Sequence, residues 1–246
     1  MLKNKNIVVT GALQGIGRQA VSQLASLGAN IFACSYIVDD NFLHFCDKTA
    51  TEHSVNIYPL EADYNSLDSV KAIGREIIKS KLPIHGLVNI AGLTKDAIFQ
   101  MTSSDDIRNI YDVNVIATLV LTQFIVKSMT KSGGGSIVNI SSISAIDGFV
   151  GQISYSSSKA ALHGATRTLA KELGSFGIRV NCIAPGVIDT DMNTKVPIKI
   201  LEERLKLTSL KRIGKPSEVV DLIAFLVSDL SSYMTGQIIR VDGGMA

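Results

Sequence analysis

Short runs of apolar, often β-branched residues alternate along the chain with longer segments whose apolar residues recur every three to four positions. The short runs predict strands and the periodic segments predict helices. The predicted strands are residues 6–10, 30–35, 55–60, 84–90, 136–141, 178–184 and 237–241. The predicted helices are residues 15–28, 66–80, 103–131, 152–175 and 216–228, whereas the polar segment 39–53 is assigned to neither class.

Several predicted strands, such as residues 87–90 and 136–140, consist almost entirely of apolar residues. Strands of a parallel sheet that is covered by helices on both faces have this composition. The alternation therefore predicts a single α/β domain over residues 1–246: a Rossmann-type, doubly wound, mostly parallel seven-stranded sheet. Segment 189–215 is the least regular long stretch, with a short helical pattern around 199–207, and we expect it to form a lid over the substrate pocket.

Charge and hydropathy exclude several functional classes. The 24 basic and 22 acidic residues give a net charge of +2, and the basic residues are scattered. This balance offers no electrostatic basis for binding nucleic acid or a membrane surface. No apolar run approaches the length of a transmembrane helix, and the first residues lead directly into a predicted strand rather than a signal-peptide core.

Cysteine and histidine are sparse and dispersed. The three cysteines form no Cys-x-x-Cys pair, which indicates free thiols in a reducing cytoplasm. The four histidines are expected to be surface or packing residues rather than metal ligands. We therefore predict a cytoplasmic protein without a metal site. These residues are Cys34, Cys46, Cys182, His44, His53, His85 and His163.

A glycine-rich loop joins the first predicted strand to the first predicted helix. Glycines allow a tight turn and let backbone N–H groups approach a phosphate, and the helix N-terminus favours an anion. The spacing is Gly-x-x-x-Gly-x-Gly, and a purely structural turn would also explain three glycines. The position after the first strand favours cofactor binding by Gly11, Leu13, Gln14, Gly15, Ile16 and Gly17.

The end of the second strand bears on the choice of cofactor. An acidic residue there normally holds the ribose hydroxyls of NAD. Here Ser35, a candidate cofactor contact, is followed by Tyr36 and Ile37, with no acid before Asp39. A 2′-phosphate would meet no repulsion, although no arginine or lysine is present to bind it. The sequence therefore slightly favours NADP(H) over NAD(H).

Candidate acid–base residues follow the fifth predicted strand. Tyr155 and Lys159 are four residues apart on a predicted helix, so both side chains can face one cleft, near Ser142 at the strand end. Tyrosine has a pKa of about 10, and a neighbouring ammonium is expected to lower that pKa. The tyrosine would then exchange a proton with a carbonyl oxygen that Ser142 hydrogen-bonds. Taken alone, the pair is better explained by a core tyrosine and a solvated lysine.

The motifs occur together and in a characteristic order. Thr10-Gly11-x-x-x-Gly15-Ile16-Gly17 is followed by Asn89-Ile90-Ala91-Gly92, Ser142, Tyr155-x-x-x-Lys159 and Pro185-Gly186-Val187-Ile188-Asp189-Thr190. Because these motifs occur together and in this order, the chain resembles the short-chain dehydrogenase/reductase family over its whole length. Within the family it looks most like the 3-oxoacyl-acyl-carrier-protein reductases of fatty acid synthesis.

The resemblance implies roles for further residues. Asn114 would complete a catalytic tetrad with Ser142, Tyr155 and Lys159 by holding a water that links the lysine to solvent. It also implies a homotetramer assembled through helices 103–131 and 152–175 and the C-terminal strand. The resemblance places Asp63 at the adenine, Asn89 and Lys159 at the nicotinamide ribose, and Ile188 and Thr190 around the carboxamide and pyrophosphate. Further implied cofactor contacts are Tyr64, Ala91, Gly92, Tyr155, Pro185 and Gly186.

The sequence departs from the family pattern at four positions. Ile90 replaces a second asparagine, and Gln14 stands where NADPH-dependent relatives carry a basic residue. Gly133 and Phe176 stand where carrier-protein reductases place arginines that meet acyl carrier protein. Docking of that carrier therefore lacks its expected contacts. Nearby basic residues that could replace them are Lys127, Lys131, Lys171 and Arg179.

The sequence thus predicts an NAD(P)(H)-dependent ketoreductase whose leading substrate is a 3-oxoacyl thioester. An alcohol, sugar or steroid-like ketone, often with NAD(H), is the alternative with the same mechanism. A non-catalytic nucleotide-binding protein with this fold is the alternative from another class, and the intact Ser-Tyr-Lys-Asn set argues against it.

Overall fold

Seven parallel strands form one sheet, as predicted. The computed structural model describes residues 1–190 and 198–245. The strand order is β3-β2-β1-β4-β5-β6-β7, which is the doubly wound arrangement of a single Rossmann-type domain. The strands are β1 (Asn6–Thr10), β2 (Asn30–Ser35), β3 (Ile57–Glu61), β4 (Gly86–Asn89), β5 (Gly135–Ile140), β6 (Ile178–Pro185) and β7 (Ile238–Val241).

Helices connect successive strands. Segment 39–53 forms α2, which begins after Asp39, whose carboxylate accepts a hydrogen bond from the Phe42 N–H at 2.8 Å. The predicted pattern around 199–207 is α8. The helices are α1 (Gly15–Ser26), α2 (Asp40–His53), α3 (Leu67–Lys79), α4 (Ser104–Tyr111), α5 (Thr118–Lys131), α6 (Ser144–Asp147), α7 (Ile153–Leu173), α8 (Ile198–Leu207) and α9 (Pro216–Val227).

Strands β1 to β6 each supply side chains to two cores. In β1, Ile7 and Val9 belong to one buried cluster, with residues of α1 and α9, whereas Val8 belongs to a second cluster with residues of α3 and α5. Successive side chains of a strand point to opposite faces, so both faces of the sheet must be covered. The continuous apolar runs of the sequence are a direct consequence.

The predicted helix 103–131 is not a uniform α-helix. Residues Asp112–Ala117 form a π-helical turn between α4 and α5. A π turn inserts a residue into the helix and commonly marks a functional position. Asn114 lies within this turn and is fully buried.

The same stretch, Ser104–Lys131, is long and apolar enough to span a membrane by length and composition alone. The expectation that no stretch reaches this length was therefore wrong, because the polar residues that interrupt the helix leave its mean hydropathy at 1.5. A core helix passes the same test, and half of the apolar window is buried inside the protein. Leu121, Ile125 and Met129 of α5 are fully buried in the second cluster.

The two ends of segment 189–215 are joined to each other. The Gly214 N–H donates to the Val187 carbonyl at 2.9 Å, and the Asp189 N–H donates to the Gly214 carbonyl at 2.9 Å. The two ends are therefore anchored to each other beside β6, and within the segment the Ser209 and Leu210 N–H groups donate to the Gly244 and Gly243 carbonyls at 3.1 and 3.0 Å. Residues 191–197, with the predicted apolar lining residues Met192 and Val196, lie outside the described residues, and the lid stays a prediction.

Candidate active site

A cavity of about 850 Å³ opens at the carboxyl ends of β1, β4, β5 and β6. The strand order reverses between β1 and β4, and ligands of open α/β sheets bind at such a switch point. Most of the predicted site residues line it: Gly11, Leu13, Gln14, Gly15, Ile16, Asp63, Tyr64, Ala91, Gly92, Ser142, Tyr155, Lys159, Pro185, Gly186, Ile188 and Thr190.

The glycine loop forms one wall of this cavity. Gly11 and Gly15 have φ angles of +68° and +54°, a region that side-chain-bearing residues rarely adopt. A Cβ added at Gly17 would collide with the Gly11 carbonyl oxygen, so this glycine allows α1 to start against the loop. The Thr10 hydroxyl fixes the opposite side by accepting hydrogen bonds from the Ile90 and Ala91 N–H groups at 2.9 and 3.0 Å.

The N-terminus of α1 suits a cofactor phosphate. The residue that precedes the helix, Gln14, makes no side-chain capping bond, and the first turn carries no acidic residue. The N–H groups of that turn therefore have no side-chain acceptor, and the positive end of the helix dipole faces the cavity wall. This arrangement fits the pyrophosphate of a dinucleotide.

Ser142, Tyr155 and Lys159 meet at the other end of the cavity. Lys159 is 4% exposed, and its Nζ donates to the Ile140 carbonyl at 2.8 Å, at the end of β5. The Nζ also lies 5.8 Å from the centroid of the Tyr155 ring. Ser142 accepts hydrogen bonds from the N–H and hydroxyl of Ser144 at 3.1 and 2.9 Å, which fix its side chain.

The titration behaviour of this pair differs from the expectation. Burial raises the pKa of Tyr155 to about 12, although hydrogen bonding with Ser142 lowers it, and the Asp96 carboxylate adds to the rise. Burial also lowers the pKa of Lys159 to about 8. The expected lowering is not the net shift for Tyr155 in the protein alone, because desolvation is the largest cause for each group, and the effect of Lys159 on the tyrosine stays a prediction.

Asn114 lies behind the cavity wall rather than on its surface. Its Oδ1 accepts from the Leu93 N–H at 2.8 Å, and its Nδ2 donates to the Leu93 carbonyl and the Ser158 hydroxyl, each at 3.0 Å. A Cβ added at Gly92 would lie 3.0 Å from Asn114 Oδ1 and 3.1 Å from Lys159 Nζ. The Asn114 amide oxygen and the Lys159 ammonium therefore both lie close to the position that a side chain at residue 92 would occupy.

Three other predicted cofactor residues do not line the cavity. Gly17 lies in α1 below the loop. Asn89 is buried and donates to Thr122 and Asn139 at 3.2 and 2.9 Å, while its Oδ1 has no hydrogen-bond partner among the described residues. The Ser35 hydroxyl is buried and donates to the Ile37 carbonyl at 2.6 Å. These contacts hold the loops that surround the cavity.

Sequence reasoning missed four lining residues around the catalytic pair: Asp96, Phe149, Gln152 and Arg204. Gln152 is 7% exposed, and its Nε2 donates to both Asp96 oxygens at 3.4 and 3.1 Å, which links the loop after β4 to the start of α7. Phe149 and Gln152 lie within six residues of Tyr155, and this proximity was the available signal. Arg204 lies in the predicted lid segment.

One predicted carrier-protein contact is ruled out. The guanidinium of Arg179 donates to Ser231 and to the carbonyls of Leu226, Ser228 and Met234, at 2.8 to 3.4 Å. It is therefore committed to the interior of the domain and cannot bind a partner. Lys127, Lys131 and Lys171 are exposed, as is Phe176.

Comparison with known proteins identifies the family. Residues 11–246 match a family model described as enoyl-(acyl carrier protein) reductase, which is a model of short-chain dehydrogenases/reductases. The chain belongs to the short-chain dehydrogenase/reductase family. It is an NAD(P)-dependent oxidoreductase, and the resemblance noted in the motifs is confirmed.

Relatives of known activity cover the full chain. The 3-oxoacyl-[acyl-carrier-protein] reductase FabG of Thermotoga maritima is 38% identical over 244 residues, which span 99% of this chain and 98% of the relative. FabG of Aquifex aeolicus is 37% identical over 244 residues, with the same coverage of each chain.

Solved structures of this family have the same fold and varied substrates. A 7α-hydroxysteroid dehydrogenase complexed with NADH and 7-oxo glycochenodeoxycholic acid has a TM-score of 0.93 and 32% identity, covering 100% of this chain and 95% of its own. L-sorbose reductase of Gluconobacter frateurii, complexed with NADPH and L-sorbose, has a TM-score of 0.92 and 27% identity, covering 99% and 97%. The fold is thus compatible with either cofactor.

Proposed function

We propose that this protein reduces the keto group of a 3-oxoacyl thioester with NADPH. The observation that carries this proposal is the meeting of Ser142, Tyr155 and Lys159 at one end of a cavity whose other end is a phosphate-binding glycine loop. FabG relatives at 33–38% identity over nearly the full chain support the thioester as substrate.

The proposed mechanism assigns one task to each residue. When bound, the nicotinamide cofactor supplies a hydride to the carbonyl carbon. Tyr155 donates its phenolic proton to the carbonyl oxygen, so that an alcohol forms and the phenolate is left on the enzyme. Ser142 hydrogen-bonds the same oxygen, and its own bonds from Ser144 keep the hydroxyl in place.

Lys159 and Asn114 assist the loss and the return of the Tyr155 proton. A phenolate in a buried site is costly, and the nearby ammonium of Lys159 offsets this cost during the step in which Tyr155 loses its proton. The Asn114 amide, which approaches the same point as Lys159 Nζ, would anchor a water that returns a proton from solvent. The raised pKa of Tyr155 keeps the phenol protonated at neutral pH, as reduction requires.

The choice of NADP(H) rests on what surrounds Tyr36. Tyr36 is 60% exposed and lines the cavity after β2. The nearest carboxylate along the chain, Asp39, is bonded to the N-terminus of α2. Across the sheet, however, Glu61 pairs with Ser35 in register and lines the cavity, as does Asp63, so a 2′-phosphate would still meet negative charge. Arg18 does not bind it, because its guanidinium lies 3.9 Å from the Phe45 ring centroid and donates to the Leu13 carbonyl. The preference for NADP(H) over NAD(H) is therefore expected to be small.

The remaining proposals concern partners and location. We propose a cytoplasmic homotetramer that acts on thioesters, including those of acyl carrier protein, without nucleic acid or membrane partners. The exposed lysines 127, 131 and 171 support weak docking of an acidic carrier. Light scattering tests the tetramer.

Steroid-like and sugar ketones form the alternative substrate class, because solved relatives carry such compounds in their complexes. The experiment that separates the classes is an assay of the purified protein with NADPH and with NADH. Its substrates are acetoacetyl, crotonyl and longer 3-oxoacyl thioesters, a 7-oxosteroid and a ketose. Oxidation of NADPH with the 3-oxoacyl thioesters supports the proposal, whereas reduction of only the ketose, the steroid or the enoyl thioester would overturn it.

A further inference from the structure

An arginine of the lid segment faces the substrate end of the cavity. Arg204 lies on α8 and lines the same cavity as Ser142 and Tyr155. Its guanidinium carbon lies 4.8 Å from the centroid of the Phe149 ring, another lining residue. A cation stacked on an aromatic face is held in place by the ring, and the N–H groups at its edge stay available for a planar acceptor.

Among the described side chains, those of residues 1–190, 201 and 203–245, Arg204 has no carboxylate partner. None of their acidic groups lies within 4.0 Å of its guanidinium, and its N–H groups reach none of their hydrogen-bond acceptors. The carboxylate on the same side of the cavity, Asp96, accepts hydrogen bonds from Gln152 and Thr94 instead. A cation placed without a counter-ion in a partly enclosed cavity is suited to bind an anion there, because low dielectric strengthens the attraction.

We propose that Arg204 binds an anionic oxygen group of the substrate, a carboxylate or a phosphate carried at a distance from the reacting carbonyl. This inference deepens the proposed function and rests on it for the identity of the reacting group. The guanidinium fork matches both anions through paired N–H···O bonds. Arg204 would therefore act on substrate affinity and selectivity, while Ser142 and Tyr155 act on the carbonyl.

Two pairs of substrates isolate the charge. The first pair is the 3-oxohexanoyl thioester of N-acetylcysteamine and the same compound with a carboxylate as its last carbon. The second pair is the 3-oxohexanoyl thioester of pantetheine and that of 4′-phosphopantetheine. Within each pair the reacting carbonyl is identical, so a difference in KM reports recognition of the anion. The pair that shows the difference identifies its source as the acyl chain or the thiol arm.

The variants are Arg204→Gln, Arg204→Lys and the matched control Lys206→Gln. Lys206 is exposed on the same helix and does not line the cavity, and its change removes the same charge from the lid. Loss of a charged hydrogen-bond partner is expected to raise KM for the anionic substrate about 10- to 100-fold in Arg204→Gln. In Arg204→Gln the KM for the neutral substrate of each pair should change less than about 2-fold. Arg204→Lys should keep part of the preference for the anionic substrate. Lys206→Gln should have the KM values of the wild type.

Two results would overturn the inference: wild-type enzyme that treats both members of each pair alike, or an equal loss of preference in Lys206→Gln. A binding measurement tests the role of Arg204 independently of the proposed reductase activity. Calorimetry of the protein with NADP⁺ and the non-reducible hexanoyl analogues of the four thioesters measures the same preference without turnover. If no 3-oxoacyl thioester is reduced, the proposed function fails, and the calorimetric difference between wild type and Arg204→Gln still decides the role of Arg204.

Discussion

The side-chain amide of Asn114 is bonded to both polar backbone atoms of Leu93, accepting from its N–H at 2.8 Å and donating to its carbonyl at 3.0 Å. Leu93 belongs to the loop that follows β4 and lines the cavity. The π-helical turn at Asp112–Ala117 therefore holds the loop that faces Lys159. The position of Asn114 is set as much by this loop as by any water it binds.

Asn114→Ala should both destabilise the fold and slow the reaction. The change leaves the N–H of the half-buried Leu93 without its acceptor, which costs about 1 kcal/mol of unfolding free energy. The loosened loop should also lower kcat. Urea denaturation and steady-state rates measure the two effects. Asn109→Ala, at an exposed position on the preceding helix, is the matched control and should change neither quantity.

Tyr155→Phe should abolish most of the activity without disturbing the fold. Phenylalanine keeps the ring and removes only the hydroxyl that donates the proton, so the rate of reduction should fall about 10²- to 10⁴-fold. Cofactor affinity, measured by fluorescence titration, should change little. The control is Tyr233→Phe, which removes the same atom from a fully exposed side chain. A variant that keeps the wild-type rate would show that Tyr155 is not the proton donor, and a biological effect that survives the change would favour the non-catalytic alternative.

The stability of the protein should depend on pH through Lys159. Burial lowers its pKa to about 8 in the folded state, against 10.5 for an ordinary lysine. Between these values the unfolded chain binds a proton that the folded protein does not, so the unfolding free energy rises with pH. Below pH 8 both states are protonated and the full cost of the buried ammonium remains.

Comparison with Lys159→Met measures this contribution. The unfolding free energy of wild type, minus that of the variant, should increase between pH 8 and pH 10.5 on the order of 1 kcal/mol per pH unit. Urea denaturation at a series of pH values provides the measurement. A difference that stays flat over this range would mean that the ammonium is not desolvated in the folded protein.

Gly17→Ala should impair cofactor binding. The added methyl group would collide with the Gly11 carbonyl oxygen, and both positions are backbone, so the loop or the first turn of α1 must move. We expect at least a 10-fold weaker affinity for NADPH, which is about 1.4 kcal/mol. Gly174→Ala is the control, because a Cβ at that exposed glycine meets nothing within 4 Å. Equal NADPH affinity of the two variants would contradict the close approach at the loop.

Much of the fold follows from local patterns of the sequence. The boundaries of β1 and β2 match the prediction because their apolar runs end at a glycine loop and at a polar stretch. β4 is shorter than the predicted 84–90 at both ends, and at its C-terminal end the reason is a tertiary contact. The N–H groups of Ile90 and Ala91 bond to the Thr10 hydroxyl rather than to a neighbouring strand. Periodicity carries no information about such a side-chain acceptor.

The sequence predicted which residues line the site better than it predicted their pKa values. The order of motifs brought Ser142, Tyr155 and Lys159 to one cavity. The pKa of Tyr155 depends on how deeply the ring is buried and on Asp96, which lies 59 positions away in the chain. Likewise, α2 escaped prediction because its buried face consists of only Phe42, Cys46 and Thr49. Burial is a property of the assembled core, and a single sequence does not state it.

The hydrogen bonds that join Val187 and Asp189 to Gly214 have an evolutionary consequence. The segment is also held at Ser209 and Leu210, whose N–H groups donate to the Gly244 and Gly243 carbonyls. Because these anchors flank the stretch between them, that stretch can be exchanged for another without shifting the strand that ends beside Ser142. We expect substrate range to diverge by replacement of this inserted cassette, while the reduction chemistry is inherited unchanged. A chimera that carries residues 191–207 of a relative with another substrate tests this separability directly.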